Sequence, residues 1–376
     1  MRADWSLKRI PGAVRKRSWL RRALVRLLQR VAESDEGRAI LARGLERQNL
    51  LMPPAEILER THSAMPYPEL SRGGPPLKRA AEPDPIFITG RFRSGSTLVW
   101  NLFRHIPGIT AYYEPFNERR WFDPSSRGAQ VDPTHRRVSD YWREYDGLDE
   151  LGQYFRESWK FEHLYMPEQA WNPAMRRYIE VLVERASGRP VLQFNEVDFR
   201  LAWLRAQFPR ARILHIFRHP RDQWCSTVQG TDCTPSCTLA DFEDFDGYYL
   251  LPWGRDLRHT FPFITVEGAT HPYELFYQLW MLSYLFARRH ADHAIAFEDL
   301  IAEPRRSLDS MFAALDVAAF DVDALLGLIE PVTVGRWKQY ADAAWFAAIE
   351  RRVDRTLDEY GRAQRPSASP GPESKN

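Results

Sequence analysis

Apolar and polar positions in this chain change period repeatedly, and the sharpest change falls just after residue 85. Ile86-Phe87-Ile88-Thr89 is a short apolar, β-branched run, which predicts a buried strand. A turn follows from Gly90 to Gly95. Residues 96–105 then carry Leu98, Val99, Leu102 and Phe103 at helical spacing, which predicts a helix. Further along, 191–195 and 212–217 read as strands, with a helix over 199–208 between them. Pro220 opens another helix reaching Val228, proline being well suited to a first helical turn. A long helix with a heavy apolar face is predicted from Pro272 to His290, and 293–300 reads as a strand. Residues 134–188 hold several helical stretches rich in Trp, Tyr and Arg. Strands alternating with helices predict an α/β fold: a three-layer core with a central parallel sheet flanked by helices. In such a sheet a ligand belongs at the strands' C-terminal ends.

The ends of the chain follow other patterns. Residues 1–65 read as a helical basic extension, and residues 1–30 carry ten Lys and Arg against one acid, Asp4. Trp19, Leu20, Ala23, Leu24, Leu27, Leu28 and Val31 recur with helical spacing there. The pattern serves a docked helix with a solvated basic face, or peripheral contact of residues 1–31 with an anionic membrane. Further helices are expected near 36–47 and 54–63. Residues 66–83 form a Pro/Gly-rich linker, 84–362 the main domain, and 363–376 a disordered tail.

Composition narrows the class without fixing it. The 376 residues are 44% hydrophobic and 27% charged, as in ordinary globular chains. Net charge is +2, from 52 basic and 50 acidic residues, so no nucleic-acid partner is expected and any anion site must be local. Three cysteines, Cys225, Cys233 and Cys237, do not make a disulfide framework and fit a reducing compartment. Cys233 and Cys237, with His271 downstream, could form half a metal site, but no second pair appears and no metal is expected. No apolar run is long enough to cross a bilayer and no signal peptide is visible, so a cytoplasmic location is expected.

Candidate chemistry sits in the loop Gly90-Arg91-Phe92-Arg93-Ser94-Gly95-Ser96-Thr97. A strand, a glycine-containing turn and a helix start make an anion site, because backbone N–H groups and the helix dipole favour negative charge. Against the nucleotide-triphosphatase loop G-x-x-x-x-G-K-[ST], both glycines and Thr97 fit, but Ser96 takes the place of the phosphate-binding lysine. Positive charge lies instead at Arg93, which could reach a charged leaving group. Glu114 falls 21 residues after Arg93 and precedes Pro115. Around it, 112–122 mixes aromatic and charged residues, equally suited to a substrate rim or to surface decoration. Arg218 ends a predicted strand, with Ser226 eight residues later on the following helix.

These features resemble the sulfotransferases that use 3′-phosphoadenosine 5′-phosphosulfate (PAPS), more in their carbohydrate and tyrosylprotein branches than in the cytosolic one. The resemblance covers about 84–340 and suggests a bacterial member. It implies a P-loop-like fold and a 5′-phosphosulfate loop formed by Arg93, Ser94, Gly95, Ser96 and Thr97. It further implies that Arg218 and Ser226 bind the 3′-phosphate, and that Glu114 is the general base. Gly335-Arg336-Trp337-Lys338 looks like the family's C-terminal basic loop, with Arg336 or Lys338 reaching the 3′-phosphate. Phe297-Glu298-Asp299-Leu300 resembles a largely structural family segment, with Phe297 in place of tyrosine. The expected reaction is sulfuryl transfer to a hydroxyl of a sugar, glycolipid or small molecule, without a metal. Two rivals remain: a P-loop-type kinase, which the missing lysine disfavours, and a non-catalytic nucleotide-binding module, which Glu114 disfavours. Residues 230–271 read as an irregular loop or substrate lid, with the acids of 241–246 solvated. For Glu114 the structural alternative is a carboxylate paired with Arg119 or Arg120.

Overall fold

In the computed structural model, β1 (Ile86–Thr89) lies at the centre of a five-stranded sheet, hydrogen-bonded to β3 (Arg189–Phe194) on one side and β4 (Arg212–Phe217) on the other. The structure describes residues 84–363, except 129–130, 133, 136, 267 and 319. The basic extension over 1–65, the linker over 66–83 and the tail after 363 lie outside the described residues. β2 (Ile109–Tyr113) and β5 (His293–Ala296) complete the sheet in the order β2-β3-β1-β4-β5, with every pairing parallel. Ile86, Phe87 and Ile88 are fully buried, as expected of a strand covered on both faces.

The helices are α1 (Ser96–Arg104), α2 (Pro173–Arg185), α3 (Leu201–Gln207), α4 (Pro220–Thr227), α5 (Leu239–Phe242) and α6 (Leu250–Leu257). They continue with α7 (Pro272–His290), α8 (Phe297–Ala302), α9 (Pro304–Ala314), α10 (Val322–Leu326) and α11 (Ala343–Ala363). Side chains of α1, α2, α3 and α9 join the strands in one core, where Phe103 and Phe312 meet edge to face at 5.3 Å. A second core gathers α4, α6, α7 and α11 around Trp224 and Trp253. This is the three-layer α/β fold expected from the strand–helix alternation. After β1 the chain crosses to the β2–β3 side, and after β4 it continues to β5 on the other. The β1 and β4 loops therefore flank a topological switch point, where α/β sheets bind ligands.

Several elements differ from the sequence reading. The run over 293–300 is a strand only to Ala296, and Phe297 opens α8, with Glu298 and Asp299 in its first turn. Acids there suit the positive end of a helix. Residues 230–271 contain two helices. Thr238 and Asp241 form a capping box for α5, and the Asp246 carboxylate accepts from the N–H groups of Leu250 and Leu251, both at 2.8 Å. Asp241 and Asp246 are thus helix-end groups. Over 134–188 the expected helices are one α-helix and three short 3-10 turns, Arg143–Tyr145, Asp149–Gln153 and Glu157–Lys160. Tyr112, Tyr113, Phe116, Trp121 and Phe122 are all buried in the sheet core, so these aromatics form neither a rim nor surface decoration.

Candidate active site

The loop between β1 and α1 is shaped by close approach. A Cβ on Gly90 would lie 2.5 Å from the Ile216 carbonyl oxygen, and one on Gly95 2.4 Å from the Phe297 ring. Gly95 also has φ +99°, and Arg93 takes the left-handed region at φ 66°. The turn closes with Ser94 N–H on the Arg91 carbonyl at 3.1 Å. Gly95 caps α1 without a side-chain hydrogen bond, so the first N–H groups of the helix have no intrahelical acceptor.

Of the loop's two arginines, Arg91 turns inward. Its guanidinium packs 4.8 Å from the Trp253 ring centre, and burial lowers its pKa to about 10. Arg93 turns toward α4: Nε donates to Ser226 Oγ at 3.1 Å, and NH1 lies 3.6 Å from Asp132. The hydroxyls of the loop do not converge on a common point. Ser94 Oγ is buried with no hydrogen-bond partner among the described residues, Ser96 Oγ donates to Asn195 Oδ1 at 3.0 Å, and Thr97 Oγ1 lies 3.1 Å from the Tyr113 hydroxyl.

Arg218 follows β4 and meets the same loop, with NH1 donating to the Arg93 carbonyl at 3.4 Å and its guanidinium 4.9 Å from the Phe297 ring centre. It is 7% exposed, and its Nε has no hydrogen-bond partner among the described residues. Burial lowers its pKa, the neighbouring Asp222 and Glu298 oppose that, and the positive charges of Arg93 and Arg336 lower it further. Arg336 therefore belongs to the same electrostatic cluster. Asp222 on α4 places it: its carboxylate accepts from Gly335 N–H at 2.7 Å and Trp337 N–H at 3.2 Å. Arg336 and Lys338 are exposed, and Arg221, paired with Glu350, lies 4.8 Å from the Trp337 ring centre.

Glu114 follows β2 with φ 40°, a left-handed conformation unusual before proline. It pairs with neither Arg119 nor Arg120. Asn117 Nδ2 donates to Oε2 at 2.6 Å, and Asn195 Nδ2 donates to Oε1. Burial raises its pKa, while the Asn117 hydrogen bond opposes that. Glu196 shares the pocket; burial, then the negative charge of Glu114, pushes its carboxyl up to about 8. Two buried carboxylates resist ionising together. Glu114 is the member with side-chain amide donors on both oxygens, which favour its ionised form. Lys160 supplies an opposing positive charge. It is 2% exposed, bonded to the Glu118 carboxylate and to the Tyr249 hydroxyl at 2.7 Å.

Thus Arg93, Arg218, Ser226 and Arg336 gather at the loop, while Glu114 joins it through Asn195. The sequence reading did not single out Asn117, Lys160, Asn195, Glu196 or Asp222. Only Asn195 and Glu196 carried a signal, lying just beyond a strand's C-terminal end. The Cys233, Cys237 and His271 group is otherwise engaged. His271 Nδ1 accepts from Tyr273 N–H at 3.0 Å, which leaves the proton on Nε2, 3.0 Å from the Thr234 carbonyl. Among the described residues no three His, Cys, Asp or Glu side chains gather as for a metal ion. Among them, too, no helix is long and apolar enough to cross a membrane.

The family model described as "Sulfotransferase family" matches residues 85–321, more than half of the chain. No curated protein matches it. Among solved structures, the sulfotransferase domain from the curacin biosynthetic pathway is 17% identical, with 74% of this chain and 99% of that one covered and a TM-score of 0.38. A sulfotransferase from Alicyclobacillus acidocaldarius is 18% identical, covering 74% and 97%, with a TM-score of 0.35. A mouse sulfotransferase solved in complex with PAP is 13% identical, covering 75% and 90%, with a TM-score of 0.37.

Proposed function

The chain belongs to the sulfotransferase family, and we propose that it moves the sulfuryl group of PAPS to an acceptor hydroxyl. The observation that carries this reading is the buried Arg218, whose Nε has no hydrogen-bond partner among the described residues while Arg93 and Arg336 place like charge near it. A bound dianion relieves both penalties at once, since a guanidinium takes phosphate oxygens through charge-assisted hydrogen bonds. Ser226 adds a hydroxyl donor on the same side. In this reading Arg218, Ser226 and Arg336 hold the 3′-phosphate. The 5′-phosphosulfate lies at the N-terminus of α1, contacted by Arg93 and by backbone N–H groups from Gly95 to Thr97. With their hydroxyls turned elsewhere, Ser96 and Thr97 act through the main chain.

Chemistry then follows from charge. The acceptor oxygen attacks sulfur and gives its proton to the Glu114 carboxylate. The bond between sulfur and the bridging phosphate oxygen breaks, and its electron pair leaves on the 5′-phosphate. Arg93 and the helix N-terminus stabilise the charge growing there. The products are the sulfated acceptor and adenosine 3′,5′-bisphosphate (PAP). The acceptor is a hydroxyl of a sugar, glycolipid or small molecule, and the setting is cytoplasmic, with membrane contact through residues 1–31 as a further option.

Calorimetry with PAP, adenosine 5′-monophosphate (AMP) and ATP tests the reading. Tight binding of PAP and weak binding of the other two is expected. ATP binding as tightly as PAP would contradict it.

A further inference from the structure

Asn195 is the first residue beyond β3 and is 2% exposed. Its side-chain oxygen accepts from Ser96 Oγ and from Gln193 Nε2, each at 3.0 Å. With both acceptor directions filled, the amide cannot turn, and its Nδ2 faces Glu114 Oε1, to which it donates. Its backbone N–H donates to Glu196 Oε2 at 3.1 Å. One residue therefore touches the first residue of α1, a side chain of β3 and both buried carboxylates.

We propose that Asn195 is a positioning residue that fixes the Glu114 carboxylate against the β1–α1 loop, so that base and donor site keep one geometry. Its catalytic consequence rests on the reading of Glu114 as the base. The chemistry of the side chain suits the task. An amide can donate to a carboxylate but cannot take its proton. It therefore favours ionised Glu114 without competing for the acceptor's proton. A hydroxyl in its place could rotate away. An amide clamped by Ser96 and Gln193 cannot, so its direction reports the position of the loop. Without it, Glu114 keeps the Asn117 donor from its own turn and the hydroxyl of Tyr113.

The other charged or titratable groups that face Glu114 are Tyr113 on its own strand, Glu118 in the next turn, Lys160 from the 157–160 turn, Glu196 after β3, and Tyr141 and Tyr145. Substitution at Asn195 replaces none of these. A change in Glu114 titration then reports the lost amide.

The test is a carbon-13 NMR titration of the full chain labelled at glutamate carboxyls, with the Glu114 signal identified by its loss in Glu114→Gln. In Asn195→Ala the Glu114 titration should move up by about one pH unit or more, the loss of a charge-assisted hydrogen bond. In Asn195→Asp, which keeps the volume if the alanine variant fails to fold, it should move further, because a second acid faces the first. Where PAPS is turned over, the acid limb of kcat should shift by the same amount. Unchanged Glu114 titration in the folded variants overturns the proposal. A wild-type protein that fails to transfer from PAPS sinks the sulfotransferase reading, while the titration still decides the role of Asn195.

Discussion

Ser226 Oγ on α4 accepts a hydrogen bond from Arg93 Nε on the β1–α1 loop at 3.1 Å, joining residues 133 positions apart across the switch point of the sheet. The contact brings the residue proposed to stabilise the leaving group beside one proposed to hold the 3′-phosphate. Arg93→Ala should therefore leave most PAP affinity in place and lower transfer at saturating PAPS by roughly 10²–10³-fold, the usual loss for a transition-state charge stabiliser. Single-turnover transfer beside PAP calorimetry checks this, and a variant transferring at the wild-type rate would remove Arg93 from the chemistry.

Arg218→Ala should weaken PAP by roughly 30- to 150-fold, corresponding to on the order of 2–3 kcal/mol for a charged hydrogen bond. AMP, which has no 3′-phosphate, should be weakened far less. Equal losses for the two nucleotides would show that Arg218 does not read the 3′-phosphate.

Asp222→Ala removes the acceptor that holds Gly335 and Trp337, and so frees Arg336 from the cluster. PAP affinity should fall by about tenfold through lost anchoring of one phosphate contact, with AMP almost unaffected. PAP affinity unchanged in a folded variant would mean that the Arg336 segment makes no contact with the nucleotide.

Much of this arrangement was legible from residues alone. Ile86 to Thr89 reads as a strand because a central parallel strand is buried on both faces and so is apolar throughout. Arg93, Arg218 and Ser226 were legible because each follows a strand or opens a helix, where the fold aims side chains at a ligand. Lys160 was not: it stands in a 3-10 turn far along the chain, and its charge is buried only because Glu118 and Tyr249 meet it. Phe297 looked like the continuation of a strand. Only the tertiary structure shows it turning beneath Gly95 and Arg218, where local propensity gives way to packing. Asp241 is exposed, as read, and Asp246 is partly covered; their roles at helix starts were hidden because a helix cap is recognised only once the helix behind it is. The proximity of Asn195 and Glu196 to Glu114 depends on β3 lying between β1 and β2, an order that no local pattern states.

The pocket around Glu196 gives a stability test. Its folded pKa, pushed up to about 8, lies above the unfolded value of 4.5. The folded state therefore holds the extra proton, and stability declines as pH rises between these two values. Glu196→Gln mimics the protonated acid and should remove that decline. Its Tm should match the wild type near pH 4 and exceed it at pH 9, as thermal unfolding across that range would show. A Tm difference independent of pH would mean that Glu196 is not held protonated in the folded protein.

The most direct test of the central claim is single-turnover transfer from labelled PAPS to a panel of hydroxyl acceptors by wild type and Glu114→Gln, with PAP affinity measured on the same preparations. Glutamine keeps the shape of Glu114 but cannot take the acceptor's proton. Wild type should yield a sulfated acceptor and PAP, and the variant should bind PAP normally while transfer falls roughly 10²–10⁴-fold. A variant that transfers as fast as wild type, or a wild type that binds PAP no better than AMP and transfers to no acceptor, would contradict the account.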